Sequence, residues 1–284
     1  SQSSSGLVKV LMYFLQSSLA LLQNDSGWLA WLSALNFDAS SPGFARCLFP
    51  LSSAQHLQFS LAAPLISFTV LLLMFAAHLA WAKLRAFSSS SLRAKYTRTA
   101  VAVLLFSFSQ ISATVWSFFS CVQLPQSTEA VNQRYPDLVC WQGEHAALLG
   151  AVIAFAVIFL LVCPLAIAAL LLRTQRQHKL HSAVTVSRFG NLFESFKPSR
   201  FYYELVILLR RTVIALLVAL LLNNRLAMMS SVTIFNAASL LVHFFAQPFS
   251  AHLENNLEAV SLALLTVLSA LLCYAPIPLA NDFQ

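Results

Sequence analysis

Seven apolar runs divide this chain, most of them near the twenty residues that a helix needs to cross the hydrocarbon of a bilayer. They cover about 7–23, 59–81, 99–122, 146–172, 205–222, 227–247 and 257–274. Backbone placed in lipid must satisfy its own hydrogen bonds, which leaves helices or the strands of a closed barrel. No stretch alternates apolar and polar over about ten residues, so a barrel is excluded. Pro248 closes the sixth run, and Pro276 and Pro278 close the seventh, where a helix has to stop. Lys9 interrupts the first run, and Arg210 and Arg211 interrupt the fifth. Only 10% of residues are charged and the mean hydropathy is +0.74, whereas a soluble domain carries about 25% charge. The expected fold is all-α: a polytopic helical membrane bundle of six to seven transmembrane helices plus a cytoplasmic interfacial helix. Residues 1–284 form one transmembrane domain in this reading. The chain starts at Ser1 without Met and reads as the C-terminal part of something longer.

Charge then sets the orientation. Lys83, Arg85, Arg93, Lys95 and Arg98 follow the second run with no acid among them. Eight further basic residues lie from Arg173 to Arg211, so thirteen of the seventeen fall in two loops on one face. Basic loops stay cytoplasmic, so loops 83–98 and 173–211 are expected inside, at a plasma or ciliary membrane. This also explains the net charge of +7 without invoking nucleic acid; the lipid bilayer is the first partner, with other membrane or extracellular proteins beside it. A cysteine introduced near Ser90 is expected to resist an impermeant thiol reagent on intact cells. One near Ser127 is expected to react, and the reverse pattern would overturn the orientation.

Cys47, Cys121 and Cys140 all fall on the expected outer side, where disulfides persist, while Cys163 and Cys273 sit within runs. Three cysteines allow three pairings; Cys121 with Cys140, which bracket one outer loop, is the favoured bridge. Asn24-Asp25-Ser26 is an N-glycosylation triplet on the same side, close to the end of the first run.

Signatures of soluble enzymes are missing: no Gly-rich phosphate loop, G-x-S-x-G, H-E-x-x-H or C-x-x-C occurs. No catalytic residue, cofactor or metal is expected. His178 and His181 lack a third ligand, and His78 and His243 are the only span histidines a haem could use. Polar residues inside the runs carry more information. Thr233, Asn236, Ser239, His243 and Gln247 recur at three- and four-residue steps and share one stripe of the sixth helix. Ser107, Gln110, Thr114, Ser117 and Cys121 do the same in the third. Such stripes face protein or water. They line a hydrated path or glue helices together, and the second is the simpler reading. Arg173, Arg176 and Lys179 follow the last apolar residue, Leu172, and read as a positive-inside anchor rather than a voltage sensor. Arg210 and Arg211 are expected to snorkel from an interfacial helix that starts near Ser199. Glu204, two turns from Arg211, has to find its partner on another helix.

The stretch from Phe189 to Arg211, with Tyr202-Tyr203-Glu204 and then the basic pair, resembles a known motif, as do Val162-Cys-Pro-Leu-Ala-Ile167, Gln247-Pro-Phe and Glu254-Asn-Asn-Leu-Glu258. Lys9-Val-Leu-Met-Tyr-Phe-Leu-Gln16 and Asn36-Phe-Asp38 through Pro42-Gly43 to Cys47 are similar too. Together they resemble the transient-receptor-potential-like C-terminal module of large cysteine-rich or EGF-repeat surface proteins of algae and oomycetes. The resemblance implies a large ectodomain ahead of Ser1.

Two functions remain. One is a non-catalytic membrane module that anchors, and signals from, an extracellular region or surface assembly. The other is a cation channel or transporter subunit. A filter needs a re-entrant segment between pore helices, and the connections at Asn223–Leu226 and Pro248–Asn256 are short for one. The anchor is therefore the favoured expectation.

Overall fold

The computed structural model describes residues 3–22, 52–84, 90–123, 129–180 and 182–274. Cys47, Asn24 and His181 lie outside them. Each of the seven apolar runs is a helix: α1 (Ser3–Leu22), α2 (Ser53–Leu84), α3 (Ser90–Phe119), α4 (Gly143–Arg176), α6 (Tyr203–Leu220), α7 (Arg225–Ala246) and α8 (His252–Tyr274). A shorter helix, α5 (Ala183–Phe193), precedes α6. Five of these, α2, α3, α4, α7 and α8, are long and apolar enough to cross a membrane. Two fall short of that standard. The apolar part of α1 covers only Gly6–Leu19, and α6 carries Glu204, Arg210 and Arg211 in 18 residues. Among the described residues, then, five crossings stand on length and apolarity alone, and α1 and α6 do not reach that standard.

The interfacial helix expected to start near Ser199 is not there. Near Ser199 the chain makes only a 3-10 turn, Pro198–Arg200, because Pro198 sets a turn start and α6 begins afterwards. The amphipathic element is α5, whose Ser182 caps its N-terminus by accepting from the Thr185 N–H. Its buried face carries Gly190, Leu192 and Phe193.

Local chemistry explains the other breaks. In α4 a π segment, Ala156–Val162, lies directly before Pro164. Pro164 has no N–H to give the carbonyl four residues back, and the wider turns accommodate that loss. α7 ends where Gln247 takes a left-handed conformation (φ 37°) ahead of Pro248. α3 stops at Phe119, three residues before the end of its apolar run, because Cys121–Gln123 forms a strand, β1. β1 pairs antiparallel with β2 (Ala130–Asn132), matching Cys121 to Asn132 and Gln123 to Ala130.

The helices assemble around one central element, α3, which packs on α2, α5 and α6. α8 packs along α7 and α1. Leu57, Ile111, Phe118 and Val152 fill the core near the hairpin, and Phe108, Leu171, Leu192 and Leu208 fill it near α5. On the outside of α4, Leu161 and Leu165 remain more than half exposed, as do Ile234, Leu241 and Phe245 of α7. Apolar side chains in such numbers on a surface mark contact with lipid.

Candidate functional site

The basic-loop end of the bundle holds most of the ionisable groups that enter the apolar layer. α6 begins at Tyr203, so its first turns place Glu204, Arg210 and Arg211 on faces that meet α1, α3 and α8. Glu204 is fully buried and takes two donors from α1: Lys9 Nζ on Oε2, and Tyr13 Oη on Oε1 at 2.9 Å. Lys9 also donates to the Asn191 carbonyl at 2.9 Å, which brings the end of α5 into the cluster. The partner of Glu204 is thus on another helix, as the spacing along α6 requires.

The arginines do not snorkel. Arg211 is 5% exposed. Its guanidinium donates to the Leu105 carbonyl at 3.0 Å and to Gln16, and it lies 4.0 Å from the Tyr13 ring centroid. Arg210, its side chain 12% exposed, pairs with the buried Glu258 of α8 at 2.7 Å. A long arginine reaches water only if its own face points there, and here both arginines face neighbouring helices. Single buried charges in hydrocarbon are costly, so each is met by a partner, a ring or a carbonyl.

Beside this cluster, Arg98 of α3 pairs with Glu194 at 2.8 Å and donates to Asn191 Oδ1 at 3.0 Å. Asn191 returns a bond from Nδ2 to the Arg98 carbonyl at 3.0 Å. Arg173, Arg176 and Lys179 stand apart from all of this, exposed at and just beyond the C-terminus of α4. Cations there complement the helix dipole.

The polar stripe of α7 turns inward onto α8. Thr233 donates to Ser269 Oγ at 2.9 Å, and His243 Nε2 meets the Asn255 carbonyl at 3.0 Å. Ser239 bonds only its own helix, at Phe235 O, and Gln247 supplies the left-handed end. Asn236 is completely buried, yet neither of its amide atoms has a hydrogen-bond partner among the described residues. The stripe is joined to α8 by hydrogen bonds at Thr233 and His243, whereas Asn236 is packed there without one. Replacing His243 with Leu is therefore expected to cost about 1 kcal/mol. Asn236→Leu is expected to be neutral or stabilising, read as the thermal unfolding midpoint of the purified chain.

The motif that follows α7 builds a corner. Asn255 accepts from the Phe249 N–H at 3.1 Å and donates to the Phe249 carbonyl at 2.9 Å. Phe249, 1% exposed, sits on Phe196, and the two residues form a backbone bridge. Of Glu254-Asn-Asn-Leu-Glu258, then, Asn255 fastens the corner, Glu258 holds Arg210, and Glu254 packs against Gly6 of α1.

At the opposite end Cys121 and Cys140 are joined by a disulfide. Asn132 braces the same end: its Nδ2 donates to the Ser117 and Phe118 carbonyls, both at 2.9 Å, and its Oδ1 accepts from the Arg134 and Tyr135 N–H groups. His145 accepts from the Trp141 N–H at Nδ1, leaving Nε2 to donate to the Phe118 carbonyl at 3.1 Å, and its ring stacks on Phe118. His145 and the two cysteines lie close together, but bonded sulfurs are not thiolate ligands. His78 is engaged by Tyr96 and His243 by Asn255, so the two span histidines serve separate places. Sequence reasoning passed over Asn132 and His145. Their signal was faint, one polar residue each in a short loop or at a helix start.

The sequence model of the Transient receptor potential (TRP) ion channel family matches residues 52–281. The chain belongs to this family. The matched region takes in every helix from α2 to α8 and leaves α1, with Lys9 and Tyr13, ahead of it. No curated protein and no solved structure matches the chain. A TRP-family membrane protein is a bundle in contact with the lipid bilayer, and the family is one of ion channels rather than enzymes.

Proposed function

We propose that this chain is a non-catalytic membrane module of the TRP family that anchors, and signals from, an extracellular region or surface assembly, with the basic loops 83–98 and 173–211 on the cytoplasmic side. The observation that carries the reading is the length of the connections. α6 ends at Leu220 and α7 starts at Arg225. α7 ends at Ala246 and α8 starts at His252, and the link between them is pinned through Phe249 and Asn255. A re-entrant helix and filter need far more chain than either link supplies. The inward turn of the α7 stripe supports the same conclusion, since its outward face is Ile234, Leu241 and Phe245. The disulfide-braced end supplies a firm attachment on the other side, and the charge cluster ties α1, α6 and α8 so that movement of one is felt by the others.

A second reading, a cation channel subunit, is favoured by the family match itself. In that case ions pass between helices or between copies, without a re-entrant filter in this chain. Reconstitution of the purified chain in planar bilayers separates the two. The expected result is no cation current above that of empty membranes. A reproducible current that Glu204→Gln or Arg210→Gln alters would replace the anchor with the channel.

A further inference from the structure

We infer that the cavity between α1, α3, α5 and the start of α8 is a binding site for a hydrophobic amine, an ammonium head on an apolar body. The cavity holds about 840 Å³ and is lined in part by Arg98, Asn191 and Glu194 of the basic-loop end. That volume lies within the range of small-molecule sites, about 300–1,000 Å³. Val8, Met12, Ala102, Val103 and Phe106 give it an apolar wall. Lys9, Arg98, Asn191, Glu194 and Glu254 gather its polar groups.

Those polar groups are not equally free. Arg98 is taken by Glu194 and Asn191, and Lys9 by Glu204 and the Asn191 carbonyl. Glu254 is 3% exposed, and its carboxylate has no hydrogen bond or ion pair among the described residues. Lys9 is the cation whose field reaches it, and that ammonium is already spent on Glu204. A buried carboxylate without a donor is costly. A ligand that brings N–H donors and a positive charge removes the penalty.

The position of the carboxylate is built rather than incidental. A Cβ on Gly6 would fall 1.9 Å from Glu254 Oε1, so α1 carries glycine where the acid needs room. The wall decides the class of cation. A hydrated metal ion demands about six oxygen ligands, whereas an ammonium is content with one carboxylate and a few neutral acceptors. The Ser195 and Ser250 hydroxyls, which also line the cavity, supply such groups. An anionic head is disfavoured, because both cations at the cavity already hold carboxylates and Glu254 would repel it. This inference stands apart from whether the chain conducts or anchors.

The test uses the purified full chain in detergent or nanodiscs, with octylamine, octanol and octyl sulfate as probes of equal chain length. Binding is read by native mass spectrometry and by the shift in Tm. Octylamine is expected to bind with one equivalent and about tenfold tighter than octanol, the worth of one charge-assisted hydrogen bond. Octyl sulfate is expected to bind more weakly than either. Glu254→Gln is expected to make amine and alcohol equal, and Met12→Trp, which fills the cavity, to weaken both. Should Glu254→Gln fail to fold, Gly6→Ala gives the answer, because its methyl displaces the carboxylate and the amine preference is expected to fall. Equal binding of amine and alcohol to the native chain overturns the proposal, as does a preference that survives these Glu254 and Gly6 substitutions.

Discussion

Glu204→Gln is expected to be the most damaging single change that keeps the shape of the side chain, lowering stability by about 3–5 kcal/mol. The carboxylate is wholly buried and accepts from Lys9 and Tyr13 on α1. An amide in its place leaves the Lys9 ammonium, itself only 15% exposed, without the carboxylate it contacts, and only the more distant Glu254 to offset its charge. Arg211, held by the Tyr13 ring and the Leu105 carbonyl, loses the negative field beside it as well. Removing one member of a buried pair costs more than removing both, because the survivor stays desolvated. The double change Lys9→Met with Glu204→Leu is therefore expected to recover most of the loss. Thermal unfolding of the purified chain checks both. A Glu204→Gln protein as stable as the native one would mean that α1 is not held to α6 by charge.

The helices could be read from the sequence because lipid leaves the backbone so few options. Seven runs forecast seven helices; their ends fell within four residues of those expected, while three starts lay five to nine residues earlier, in polar turns that hydropathy does not mark. Where the reading failed, the deciding contact lay between segments distant in sequence. Arg210 and Arg211 look like snorkelling residues when only their apolar neighbours along the chain are seen. Glu258 and Gln16, which hold them, are 48 and 195 positions away by residue number. Asn236 shared a helical stripe with Thr233 and His243, and periodicity can put three residues on one face without saying which of them meets a donor. A helix was sought beside Ser199 because apolar residues surround the arginines, yet the short amphipathic helix of this region starts earlier, after the Ser182 cap. Asn132 stayed invisible and the Asn255 corner showed only as a motif without a role, since a side chain that satisfies backbone groups has no periodic signature.

Breaking the disulfide is expected to cost about 3 kcal/mol, the loop-closure entropy of a cross-link of this span. Cys121 and Cys140 are 19 residues apart and close the hairpin that follows α3 onto the start of α4. Cys121→Ser with Cys140→Ser frees that loop in the unfolded chain and leaves the native end to Asn132 and His145. Those two residues bond four carbonyl or N–H partners in α3 and the loop by Asn132 alone, with the Phe118 carbonyl shared by His145. They keep the hairpin native once the chain has folded, so the loss is expected in the unfolding midpoint rather than in the folded structure. Hydrogen exchange is expected to quicken most at 121–140, where the freed loop also opens locally, and less in α6 and α8, bound through the charge cluster at the far end. Equal loss of protection at both ends would show that the two ends unfold as one unit. In a relay that passes movement from one face to the other, that coupling is the property to be tuned, and the disulfide and Glu204 are its two fastenings.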